Sequence, residues 1–89
     1  MVPENSISKT RVAVLSIIVQ NTESTDALNR ILHEYSSYII GRMGIPYRLK
    51  NIYIICVALD APQEIISAIS GKVGNLSGVS SKTAYSGRQ

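Results

Sequence analysis

The chain has 89 residues and a mass of 9.7 kDa, the size of one compact domain. Its composition, 45% apolar and 17% charged with a formal net charge of +3, excludes a disordered chain, which needs low hydropathy and high net charge. No apolar run approaches the roughly 18 residues that cross a bilayer, and the N-terminal MVPENSISKTR lacks the apolar stretch of a signal peptide, so a cytoplasmic protein is expected.

Residues 1–10 carry no periodic pattern and are expected to fray, as are 87–89; the domain is expected over 11–86. RVAVLSIIVQ, from Arg11 to Gln20, is β-branched, of strand length and apolar on both parities, as for a strand buried on both faces in the middle of a sheet. Asn21 and Thr22 are cap-type residues. After them Leu28, Ile31, Leu32 and Tyr35 recur at helical spacing, predicting a helix from about Glu23 to Ser36. Asp26, Asn29, Arg30 and His33 form its polar face, with Arg30 and Glu34 spaced for a weak ion pair.

A second strand is expected over Tyr38–Met43, followed by a turn that Gly44 and Pro46 shape. NIYIICVALD, from Asn51 to Asp60, repeats the two-sided character of the first strand and is also expected to be central. Pro62 suits a first helical turn, and Ile65, Ile66, Ile69 and Val73 make an apolar stripe ended by Gly74. The more polar VSSKTAYS, from Val79 to Ser86, reads as an edge strand.

The order β-α-β-β-α-β repeats one unit after about 40 residues. Right-handed crossovers then give an α+β ferredoxin-like plait, a four-stranded antiparallel sheet of order 4-1-3-2 with two helices on one face. The other face has no helix, yet it receives one apolar parity set from each central strand. A domain this small hides only about 60–65% of its unfolded surface, so a homo-oligomer, dimer or tetramer, is expected to cover that face.

Catalytic parts are sparse. One cysteine and one histidine exclude an internal disulfide and a zinc site of three or four nitrogen and sulfur ligands from one chain. We read His33 as a solvated helix residue and Cys56 as a buried, inert thiol. The chain has no glycine-rich phosphate loop, and its six carboxylates are scattered without an acid/base pair. No catalytic residue, metal site or cofactor is expected. Nucleic acid is the rival suggested by a pI of about 9.2. The central strands, however, offer Tyr53 as their one aromatic, too few to stack bases, and both helices are committed to crossovers rather than to a helix-turn-helix.

The exception is the stretch from Tyr38 to Arg48, YIIGRMGIPYR, with two arginines, two tyrosines and two glycines. Arg42 and Arg48 offer planar forks for an anion, Tyr38 and Tyr47 flat walls with polar tips, and Gly41 and Gly44 close backbone approach. These six are the candidate ligand- or partner-binding residues. The same residues also suit a structural role in which Gly41 relieves crowding, Gly44 and Pro46 shape a hairpin, and the arginines are solvated.

ILHEYSSYIIGRMGIPYR, from Ile31 to Arg48, and APQEIISAISGKVGNLSGVSSKTAYS, from Ala61 to Ser86, resemble the small ACT-like family labelled as regulators of the iron-only hydrogenase system. The similarity covers about residues 9 to 86. It implies a ferredoxin-like, ACT-like domain that forms oligomers, a regulatory role and small effectors bound near subunit boundaries, with no established ligand. The fold it implies also resembles the C-terminal domain of the nickel-responsive repressor, whose histidine and cysteine ligand set and ribbon-helix-helix part this sequence lacks. Three function classes follow: a non-catalytic oligomeric regulatory or sensing module, a small enzyme of the dimeric α+β-barrel type, and a nucleic-acid-binding module. The first fits the absent catalytic constellations best.

Overall fold

Alternating apolar residues become the sheet and helical stripes become its cover in a computed structural model that describes residues 9–87. The strands are β1 (Thr10–Val19), β2 (Ile39–Tyr47), β3 (Ile52–Pro62) and β4 (Val79–Tyr85), and the helices are α1 (Thr25–Glu34) and α2 (Gln63–Gly74). The sheet order is β2-β3-β1-β4 with every neighbouring pair antiparallel, the expected 4-1-3-2 plait. Residues 1–8 and 88–89, and with them most of the expected frayed ends, lie outside the described residues. Thr10 already pairs with Pro62. No helix among the described residues is long and apolar enough to cross a membrane.

One parity set of each central strand faces the helices. Leu15, Ile17 and Val19 of β1 and Ile55, Val57 and Leu59 of β3 are sealed against Leu28 and Leu32 of α1 and Ile69 and Val73 of α2. Ala13, Ala61 and Ile66 form a smaller cluster at one end. Each large aliphatic chain so buried contributes roughly 1.5–3 kcal/mol of transfer free energy, which is why the helices dock on this face. The opposite set of β1, including Val12, Val14 and Ile18, is about 40% exposed.

Several boundaries differ from expectation for local reasons. A single 3-10 turn, Thr22–Ser24, precedes α1, with the Asn21 side chain accepting from the Glu23 N–H. Ser24, buried, donates its hydroxyl to the Ser77 carbonyl at 2.6 Å. Pro62 is the N-cap of α2 rather than part of its first turn, and α2 continues through Gly74 to an Asn75 C-cap. Strand β2 is longer than expected, so Gly44 and Pro46 lie within it and do not shape the turn. Proline is tolerated there because β2 is an edge strand whose outward N–H needs no ladder partner. The turn is Arg48–Lys50, closed by Asn51 at φ 54°, a left-handed conformation that asparagine adopts more readily than most residues.

A bulge at Ile40 changes the meaning of β2. Ile39 pairs with Leu59, but Gly41 pairs with Ala58, so Ile40 is an extra residue and the faces exchange at that point. Ile39 packs against the core, whereas Gly41, Met43, Ile45 and Tyr47 share the helix-free face with Ala58, Cys56, Ile54 and Ile52.

Glu34 pairs not with Arg30 but with Lys72 of α2 at 3.2 Å, both side chains about half exposed. Lys72 also lies 4.9 Å from the Tyr35 ring centroid. Interaction with Tyr35 first, and Glu34 second, raises its pKa above the ordinary 10.5. A raised folded-state value stabilises the fold below the unfolded pKa, and that contribution is lost as pH rises through the folded one. Thermal melts of wild type and Lys72→Met should therefore differ slightly at neutral pH and converge above pH 10.5; a gap that widens in alkali would contradict this assignment.

Candidate functional site

The six residues singled out between Tyr38 and Arg48 are distributed along β2 and the turns at its two ends. Tyr38 ends the 3-10 turn Ser36–Tyr38 and packs against Ala13, Ala61 and Ile66. Tyr47 stands at the other end of the strand, roughly 25–30 Å away at the usual rise per residue. Arg42 faces the helix layer because of the bulge, and its Nη2 donates to Asn29 Oδ1 at 3.0 Å. A Cβ at Gly41 would meet nothing within 4 Å, so that glycine does not relieve crowding. Gly44 does: a Cβ there would lie 3.0 Å from Tyr53 Cζ, because the Tyr53 ring crosses diagonally over the Gly44 backbone.

Tyr47 and Arg48 come together in an open cleft of about 300 Å³ at the β2–β3 turn, whereas Gly41 and Arg42 line a separate, more open cleft of about 290 Å³ with Val14, Met43, Cys56 and Ala58. Thr22 lines the first of these from the β1–α1 connection, Thr25 from the first residue of α1, Pro46 from β2, Asn51 from the turn, and Ile52 and Tyr53 from the start of β3. The lining combines an arginine, two threonines and an asparagine with the apolar Pro46 and Ile52, residue types that suit a small anion with an apolar body. Thr22, Thr25, Asn51 and Tyr53 were not among the sequence candidates. The cap position of Thr22 and the polar Asn51 between two apolar strands were the signals available, and neither showed that the two loops meet.

Cys56 is a free thiol, partly exposed, not buried as expected, because it shares the helix-free parity with Ile54 and Ala58. His33 is exposed on α1. Among the described residues no three His, Cys, Asp or Glu side chains gather to hold a metal. Tyr53 faces the helices, half-buried against the core, so the central strands present no aromatic ring on the helix-free face, where stacked bases would need one.

Residues 11–83 match the TM1266-like family, described as "Iron-only hydrogenase system regulator, putative". The chain belongs to this family. The TM1266-like assignment agrees with the solved structure of the uncharacterized protein TM1266 from Thermotoga maritima. The two share 36% identity at a TM-score of 0.82, with 85% of this chain and 96% of that one covered. A formyltetrahydrofolate deformylase from Pseudomonas putida KT2440 has a similar fold at 13% identity and a TM-score of 0.63, covering 88% of this chain but 30% of that one. An unknown protein from Galdieria sulphuraria is similar at 15% identity and 0.60, covering 90% and 47%. At such identities the likeness is one of fold. No curated protein matches. The TM1266-like match spans every residue that lines the hairpin cleft.

Proposed function

We propose that this TM1266-like chain is a non-catalytic regulatory module that works as a homo-oligomer and senses a small anion in the cleft at Tyr47 and Arg48. The observation that carries this reading is the cleft itself, which Arg48 lines together with Thr22, Thr25 and Asn51 and the apolar Pro46 and Ile52. The family's description as a regulator supports the role. Arg42 is left out of the sensing site because its guanidinium bonds to Asn29, and Tyr38 because it packs at the far end of the sheet.

A thermal-shift screen of amino acids, nucleotides and other small anions tests it. A ligand should raise the melting temperature of wild type and of Arg42→Ala alike. Arg48→Ala should weaken its binding about 10- to 100-fold, the worth of one charge-assisted contact. Equal binding by Arg48→Ala would place the site elsewhere, and a screen empty for all three proteins would refute sensing of these anions.

A further inference from the structure

We infer that the helix-free sheet face is a two-fold interface with a second copy of this chain, in which Lys82 pairs with Asp60 of the partner subunit. The inference rests on the homo-oligomeric part of the proposed function and deepens it by assigning the face and its register.

The face is largely aliphatic across β2, β3 and β1, with Ser80, Lys82 and Ala84 of β4 along one edge. Register pairing places Met43 and Ile45 of β2, Ile54 of β3 and Val14 and Ile18 of β1 on it, and Met43 is 56% exposed. Three strands at about 4.8 Å spacing and some seven residues each give roughly 330 Å² before side-chain relief is counted. An apolar patch of several hundred Å² marks an interaction surface, and the polar β4 edge beside it widens the area a second copy covers toward the roughly 800 Å² per partner of a standard interface.

The charges say what covers it. The four strands place two charged side chains on this face, Lys82 opposite Ser16 and Asp60 opposite Val12, both exposed. Strand β1 lies between β4 and β3, and Val14 lies midway between Ser16 and Val12 along it. A two-fold axis lying between the sheets beside Val14 therefore exchanges the two charges, and an isologous contact closes two ion pairs at once. Those pairs lie at the edges of the aliphatic patch, where they set register, while the aliphatic area supplies affinity. A face with one cation and one anion so placed is complementary to itself.

Light scattering and sedimentation at about 10 μM, with circular dichroism as the check on folding, test it. Wild type should be a dimer or a multiple of one. Met43→Glu, at an exposed position, should stay folded and dissociate at least 100-fold more readily. Lys82→Asp and Asp60→Lys should each weaken association at least 10-fold, and the double variant should recover most of it. A monomeric wild type would overturn both this inference and the homo-oligomeric reading, including a monomer that associates only after residues 2–8 are removed. An oligomer indifferent to Met43→Glu would overturn this interface and leave that reading standing. Dissociation by Met43→Glu without recovery in the double variant would overturn the Lys82–Asp60 register.

Discussion

Ile17→Lys should unfold the domain, whereas Ile18→Lys, one residue on, should leave it folded. Ile17 is fully buried between sheet and helices, and an ammonium there has neither water nor a counter-ion. Loss of the aliphatic packing costs about 2–5 kcal/mol, and the uncompensated charge adds several more, against a total stability of about 5–15 kcal/mol for a domain. Ile18 points to the other face and is 41% exposed in the single chain, so a lysine there leaves the fold of each subunit intact at a cost below about 1 kcal/mol and acts on the association inferred above instead. Far-UV circular dichroism at 25 °C separates the two outcomes. Folded spectra for both variants would mean that the odd set of β1 is not the core.

Gly44→Ala should destabilise by about 1–3 kcal/mol, the range for a methyl group forced into a filled site, while Gly41→Ala should be nearly neutral. The two glycines lie three residues apart on the same edge strand, so intrinsic strand preference is a common term. They differ in what stands over them: the Tyr53 ring over Gly44 and open space over Gly41. Tyr53 packs on the main core cluster and lines the hairpin cleft, so its displacement should also weaken any ligand held beside Arg48. Denaturant melts of the two variants provide the check. Equal losses would show that Tyr53 yields at no cost or that glycine itself is required along β2.

How much of this was legible beforehand differs element by element. The two-sided apolar character of Arg11–Gln20 and Asn51–Asp60 announced two central strands, and the Leu28, Leu32, Ile66 and Ile69 spacing announced both helices, because period and propensity depend on residues within about four positions. Which parity would face the helices was not legible. In β1 the sets Ala13, Leu15, Ile17, Val19 and Val12, Val14, Ser16, Ile18 are nearly equally apolar, and that near-equality is also why the uncovered face looks like an interface.

The stretch from Tyr38 to Arg48 was conspicuous in composition but misleading as a unit. An extended strand carries its ends far apart and alternates its side chains between faces. The Ile40 bulge, beside Gly41, then exchanges the faces, and a glycine inside a strand does not by itself say which residue is the extra one. Arg42 consequently meets Asn29, while Arg48 lines a cleft with Thr22 and Thr25, more than twenty residues earlier.

Sequence alone therefore determined the elements, their order, the plait and the family likeness, all of which rest on local periodicity, turn chemistry and motif. Tertiary structure decided which parity is core, where β2 changes face, that Cys56 is partly exposed, and that Tyr47 and Arg48 share a cleft without Tyr38, Gly41, Arg42 or Gly44. Those outcomes depend on register between strands and on loops distant in sequence, which a pattern repeating every two or four residues does not encode.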